Sequence, residues 1–552
     1  MGRKYLTNTY VLAAISCTGG LLFGFDISSL SAIIGTNNYL VYFSNTDVVT
    51  DPVTGWRTSS GPDSNLQGGI TASMAGGSFL GAIVSGPLND RIGRRNSIAA
   101  SMIVWIIGSI LACAVQDVAM LIVARIVLGF AIGIASSVVP TYISELAKPQ
   151  VRGRLIGCQQ WAITWGILIQ YFITYGCSFI GNQDGRSTAS FRTPWGLQMI
   201  PAFIVLGFIP FMPRSPRWLA SVGKMDEAHE VLALIHGDGD RSHPLVLAEF
   251  EQIKQSLVEE KSGTYADLLK GNHPWRLHIS MFTQIWSQLT GMNVMMYYIV
   301  YVFGMAGIQS GNVTLIASSI QYIINVVMTV PAILYIDRWG RRPTLLVGTT
   351  LMSIWLFTVA GLMKAHGQYY EPDPAKGDPD SVRWKVHGPA SKAIIACSYL
   401  FVASFASTVG PTSWLFVPEL WSNRLRSKAV SIATASNWIF NFALGYFVPP
   451  SFKNIQWKSY LVFACFGVTM TIHIFLAFPE TRNLSLEEVD ELFASGLPAW
   501  RTRGFTSQVK LEKVAAQIER GVKPSEAVGI AHSDRDSDQS PHEEKGQTYA
   551  EA

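Results

Sequence analysis

The chain has 552 residues, of which 49% are hydrophobic and only 14% charged, with a mean hydropathy of +0.26. An ordinary soluble domain carries about 25% charged residues, so this composition excludes a water-soluble enzyme, and apolar stretches of bilayer-spanning length recur along most of the sequence. The formal charge of +4 is small and its Lys and Arg sit in short clusters between apolar runs, which suits membrane orientation and sets nucleic acid aside as a partner.

Apolar runs predict twelve transmembrane helices, at 10–34, 66–88, 97–116, 119–143, 154–180, 195–213, 276–304, 313–336, 344–364, 391–418, 428–449 and 459–478. Helix 1 is too long, too glycine-rich and too polar at Asp26 for a cleaved signal peptide. The loop 35–65 follows on the outer side. Helix 2 ends in the basic run Asp90 to Arg95, DRIGRR, and helix 4 carries Arg125 within its apolar run and closes with Glu145 seven residues before Arg152. After helix 6, residues 214–273 are charged and hold helical patterns at 225–236 and 246–258, so short amphipathic cytoplasmic helices should divide the chain into halves. Helix 8 ends in Asp337 to Arg342, DRWGRR, and helix 10 closes with Glu419 seven residues before Arg426. The outer loop 365–390 is rich in Pro, Asp and Gly, and beyond about residue 500 the polar sequence is expected to be a disordered tail.

Placing Arg3 and Lys4 inside puts every basic loop on the same side, so both termini are expected to be cytoplasmic and the protein to be a multi-pass component of the cell membrane. The six cysteines lie in or at the ends of apolar runs, with no CxxC pair and no His at ligand spacing, so neither a disulfide framework, a metal site nor a cofactor is expected.

Two motifs repeated in the same order imply two homologous six-helix bundles, the arrangement of transporters whose substrate lies between halves near the midplane. The expected fold is therefore an all-α membrane protein. Its divisions are a bundle at 1–213, a linker at 214–273, a second bundle at 274–480 and a tail at 481–552. Arg94, Glu145, Arg152, Asp337, Arg341, Glu419 and Arg426 read as a cytoplasmic latch of reversible salt bridges that biases one access state against the other. Asp26 and Arg125, each costly to bury alone, should pair, and a motion that separates them lets the carboxylate take a proton. Gly77/Gly81 and Gly129/Gly133 read as close helix packing.

These residues, with the runs 86–95, 142–146, Arg152-Gly153, 215–219, 288–293, 417–420 and 478–481, resemble the sugar porter family of the major facilitator superfamily from helix 1 to about residue 493. Residues 24–28 and 284–298 look most like fungal high-affinity glucose transporters. The resemblance implies a sugar site made of Gln160, Gln288, Asn293, Asn325, Trp414 and Asn437, because amides both donate to and accept from hydroxyls and an aromatic face suits the C–H side of a sugar ring. Gln288 and Asn293 are five apart, which one straight helix would not put on one face, so their pairing rests on the family likeness and Gly291. Tyr297 and Tyr298 resemble the family's outer gate. Ala406 stands where mammalian facilitators carry Glu, Ser287 where many members carry Gln, and Arg214 where an acidic residue is usual.

The expected function is plasma-membrane transport of a hexose, D-glucose foremost, by proton-coupled alternating access, with sugar, proton and lipid bilayer as partners and no oligomer required. A proton-independent facilitator and a transporter-like glucose sensor are the alternatives. The sequon at Asn312 lies close to helices 7 and 8, and Lys510, Lys513, Lys523 and Lys545 are candidate ubiquitin acceptors in the tail.

Overall fold

The computed structural model describes residues 6–148, 151–259, 264–307, 311–372, 380–421, 423–482, 484 and 488–505. The tail lysines fall outside these residues, as does the Asn312 side chain. The expected spans are helical: α1 is Thr9–Ile33, α2 Ser64–Ile92, α3 Arg94–Cys113, α4 Val118–Leu146, α5 Arg152–Ser178 and α6 Ala189–Phe211. In the second half, α7 comprises His273–Leu289, Met292–Tyr297 and Ile299–Met305, α8 is Gly311–Trp339, α9 Arg341–His366, α10 Pro389–Ser407 with Val409–Glu419, α11 Asn423–Asn454 and α12 Lys458–Ala477.

Among the described residues, nine stretches are long and apolar enough to cross a bilayer. Of the exceptions, α5 and α11 fall short because they are polar, and α7 because it is broken into pieces of which the longest, His273–Leu289, has 17 residues. In turn α5, α7 and α11 carry the amides Gln159, Gln160 and Gln170, then Gln284, Gln288 and Asn293, then Asn437 and Asn441, and all of these except Asn293 are buried. Polar side chains inside a membrane helix are costly, and here they are gathered where the bundle shields them from lipid.

Small residues set the tightest packing. A Cβ on Gly77, Gly81, Gly129 or Gly133 would lie within 2.1 Å of a backbone oxygen of the facing helix, so α2 and α4 meet backbone to backbone, as the glycine spacing predicts. α1 and α5 meet similarly at Gly24, whose Cβ would stand 2.2 Å from the Ile163 carbonyl oxygen.

Two linker helices, Met225–His236 and Pro244–Glu259, follow α6. They dock through His236, whose Nδ1 lies 2.7 Å from Glu249 Oε2 and whose Nε2 lies 3.0 Å from the Leu146 carbonyl at the end of α4. A 3₁₀ turn at Ala499–Gly504 extends ordered structure past residue 500, and residues 506–552 lie outside the described set.

Candidate functional site

Helix α7 owes its shape to Gly291, which takes φ +83° and breaks the helix between Leu289 and Met292. Only a residue without a Cβ adopts that conformation at little cost. The break turns the chain so that Asn293 Nδ2 donates to Gln288 Oε1 at 2.6 Å, which resolves the five-residue spacing. α10 is interrupted in a comparable place, at Thr408 with φ −137° and ψ −85°, so the segment bearing Trp414 is set at its own angle. Discontinuous helices of this kind form the sites of many transporters.

A chain of amides runs through the centre. Gln288 Nε2 donates to Asn437 Oδ1 at 2.9 Å, Asn437 Nδ2 to Gln284 Oε1 at 2.7 Å, and Asn441 Nδ2 to Gln288 Oε1 at 3.1 Å. Gln284 Nε2 in turn holds the Ser413 carbonyl at 3.0 Å, fixing the backbone just before Trp414. Gln160 comes from the other half and its amide lies over Gly410 of α10, 3.3 Å from where a Cβ would be. Asn325, only 2% exposed, has its Oδ1 buried without a hydrogen-bond partner among the described residues. A buried amide oxygen left unpaired costs about 1–3 kcal/mol unless something supplies a donor.

All six expected site residues thus lie on α5, α7, α8, α10 and α11, and Gln288, Asn293 and Asn437 are joined in one network. Gln284 and Asn441 belong to it too and were not among the expected residues. Their signal was in the sequence: each stands four residues from an expected member, on the same helix face.

Asp26 and Arg125 pair as expected, Arg125 Nη2 donating to Asp26 Oδ2 at 3.3 Å and Nη1 to Oδ1 at 3.5 Å, with both side chains almost wholly buried. Arg125 Nε also donates to the Ile70 carbonyl at 2.9 Å, so one guanidinium ties α1, α2 and α4 together. Tyr297 and Tyr298 are buried, and the Tyr298 hydroxyl donates to the Gly445 carbonyl at 2.7 Å. A further aromatic, Tyr322 of α8, reaches across to the first half. Its hydroxyl lies 3.1 Å from Ser31 Oγ and donates to the Met296 carbonyl at 3.1 Å, and its ring packs on Tyr171 at 4.7 Å.

At the end bearing the basic motifs the charges pair in a cross. Glu145 binds Arg94 at 2.9 Å in its own half and approaches Arg426 of the other half at 3.6 Å. Glu419 binds Arg341 at 2.7 Å, and Arg341 also meets Asp337 at 3.2 Å. The acid of each repeated motif then reaches the opposite half: Asp90 meets Lys428 Nζ at 2.5 Å and Ser427 Oγ at 2.5 Å, while Asp337 lies 3.8 Å from Arg154 Nε. Arg154 and Lys428 each stand two residues beyond Arg152 and Arg426, so the two contacts repeat the internal symmetry. Arg152 is buried at the same end. The pairs spaced seven in sequence mark this surface, and each acid binds the motif arginine of its own half, Glu145 with Arg94 at 2.9 Å and Glu419 with Arg341 at 2.7 Å. Arg214 stacks over Trp218 at 5.6 Å, and Ser215 Oγ donates to Glu145 Oε2 at 2.5 Å.

At the opposite end α2 and α11 close the bundle, a Cβ on Gly68 falling 2.8 Å from the Tyr446 carbonyl oxygen. Contacts between the halves at both ends therefore enclose the amides.

A family model described as "Sugar (and other) transporter" matches residues 12–493. Over 540 residues the chain is 46% identical to the MFS glucose transporter of Aspergillus flavus, covering 96% of this chain and 98% of that one. It is 44% identical over 515 residues to the high-affinity glucose transporter of Kluyveromyces lactis, covering 92% and 89%. Its fold is similar to that of the E. coli proton:xylose symporter XylE bound to 6-bromo-6-deoxy-D-glucose, with TM-score 0.72 and 26% identity over 88% of this chain and 99% of that one. With its two bundles and its repeated motifs, the chain belongs to the sugar transporter family and has the major facilitator fold.

Proposed function

We propose that this chain is a plasma-membrane hexose–proton symporter that carries D-glucose by alternating access. The central observation is the enclosed amide network of Gln284, Gln288, Asn293, Asn437 and Asn441, whose Gln284 fixes the backbone just before the buried Trp414, together with the buried, unpaired Asn325 oxygen on α8. Amides meet hydroxyls that both donate and accept, and an indole face suits the C–H side of a pyranose. Gln160 supplies a contact from the first half, so bound sugar would bridge the halves, and the fungal relatives named for glucose favour that hexose.

The Asp26–Arg125 pair supports the coupling. A carboxylate held by one guanidinium at 3.3 Å exchanges that partner for a proton when α1 and α4 move apart, and the XylE relative is named a proton:xylose symporter. One observation favours a facilitator instead: Arg125 also binds the Ile70 carbonyl, as a tie among three helices would. The reading places both termini and the crossed salt bridges in the cytoplasm, Tyr297, Tyr298 and Tyr322 at the outer gate, and the division between bundles in the linker at 214–273.

The test is uptake by proteoliposomes offered a panel of sugars with and without an imposed pH gradient. Symport predicts glucose accumulation only with the gradient, and equal end-points under both conditions would identify a facilitator. Restored growth on glucose in cells lacking hexose carriers would exclude a pure sensor.

A further inference from the structure

Beyond the sugar path, a polar cavity of about 220 Å³ opens beside the basic ends of α8 and α12, lined by Trp339, Glu480, Arg482, Leu484, Thr502, Arg503 and Phe505. Its floor is fully bonded. The Glu480 carboxylate accepts from the backbone N–H groups of Arg341, Arg342 and Arg482 at 2.9, 3.2 and 3.0 Å, and the Glu480 N–H donates to Thr502 Oγ1 at 2.8 Å. That last bond holds the 3₁₀ turn Ala499–Gly504 against the end of α12.

Its cations are not satisfied in the same way. The Arg482 side chain uses only Nε, which donates to the Asp337 carbonyl at 3.0 Å, and among the described residues neither its terminal amino groups nor the guanidinium of Arg503 has a partner. Two guanidinium groups thus line one cavity whose single carboxylate is already occupied. A planar guanidinium with free N–H groups matches phosphate oxygens bidentately.

The surroundings say where such a phosphate would come from. Trp339 is 46% exposed at the cavity edge, Trp500 is 49% exposed with its ring stacked on Phe475 of α12, and Leu497 is also exposed. Arg342 Nη2 donates to the Phe475 carbonyl at 2.8 Å. Exposed tryptophans beside arginines at a helix end are the pattern of a membrane–water interface.

We propose that this cavity binds the phosphate headgroup of an anionic phospholipid of the cytoplasmic leaflet, with Arg482 and Arg503 on the phosphate and Trp339 at the acyl boundary. Bound lipid would clamp the 3₁₀ turn to α8 and α12. The cytoplasmic assignment rests on the orientation proposed above; binding itself does not, since titration in detergent is blind to sidedness.

The test titrates the full-length protein in detergent with dioctanoyl phosphatidylserine, dioctanoyl phosphatidylcholine or inorganic phosphate and follows the melting midpoint. The serine lipid should raise it saturably, the choline lipid should not, and phosphate at equal concentration should give only a minor shift. Arg503→Gln, at an exposed residue with no partner to lose, should weaken apparent affinity for the serine lipid about fivefold, and Arg482→Gln at least as much. Arg501→Gln, on the same turn but outside the cavity, should change it less than twofold. Equal shifts with both lipids, equal weakening by Arg501→Gln and Arg503→Gln, or a full shift with phosphate alone would overturn the assignment, the last in favour of a soluble anion. Binding intact, with the termini labelled from outside in cells, would retain the lipid site and refute the orientation.

Discussion

Gln288 is the junction of the amide network, donating to Asn437 and accepting from both Asn293 and Asn441. Its replacement by Ala removes three bonds and leaves those partners to compete for a sugar hydroxyl, so the apparent KM for glucose should rise by about 5- to 150-fold, the equivalent of about 1–3 kcal/mol. Asn293→Ala removes a single bond and should fall at the lower end of that range. Initial-rate uptake at matched surface abundance measures both, and unchanged KM in both variants would take them out of the site. Gly153 makes a different demand, since a Cβ there would stand 2.0 Å from Asp337 Oδ1 across the interface between halves. Gly153→Leu should therefore prevent closure of the basic end and abolish transport while leaving the protein in the membrane. Wild-type uptake by this variant would show that the closure is not needed. What the sequence made legible at this scale was residue type: Asp26 and Arg125 could be paired because two lone buried charges have few other options. Gln284 and Asn441 were less visible because an isolated intramembrane amide equally serves to join helices.

The linker helices give an element-scale prediction through His236. Burial opposes its charged form, as does the nearby Lys148, but the Glu249 carboxylate at 2.7 Å and the Leu146 carbonyl outweigh them and hold the imidazole above the ordinary histidine value of 6.5. A group whose folded pKa is raised contributes stability that is complete below its unfolded value and is lost as pH rises through the folded value. The docking of Met225–His236 onto α4 should consequently be firmest below about pH 6.5 and loosen above it. Hydrogen exchange of the segment, corrected for intrinsic rates, should be slower at pH 6 than at pH 8 in the parent and equally fast at both in His236→Ala. A pH-independent difference would contradict it. Element identity was readable from apolar length, and the Gly291 break was anticipated by a glycine among amides. The break at Thr408 had a signal too, in Gly410-Pro411, since Pro411 has no N–H to give the Ser407 carbonyl four residues back, but the apolar run around it reads as one continuous span.

At the scale of the whole molecule, the crossed contacts Asp90–Lys428 and Asp337–Arg154 bind one half to the other at the basic end, and Tyr322 does so near the opposite end. Alternating access requires these two sets to open in turn, and such ion pairs are reversible. Asp90→Ala with Asp337→Ala should shift the resting population toward the state open at the basic end, read as faster labelling of a cysteine introduced on that side. Unchanged labelling would deny them a latch role. The internal repeat made the two-bundle fold legible from sequence alone. It did not reveal the partners, because identical motifs in each half do not say whether an acid meets its own half or the other.

Coupling is the central claim, and Asp26→Asn in proteoliposomes tests it most directly. With the carboxylate replaced by a permanently neutral amide, sugar-loaded exchange should continue, whereas accumulation driven by a proton gradient requires position 26 to bind and release a proton in each cycle. The account predicts that the variant retains glucose counterflow but fails to concentrate glucose under an imposed pH gradient that drives the parent. Concentrative uptake by Asp26→Asn equal to that of the parent would contradict it and leave Asp26 as a structural partner of Arg125.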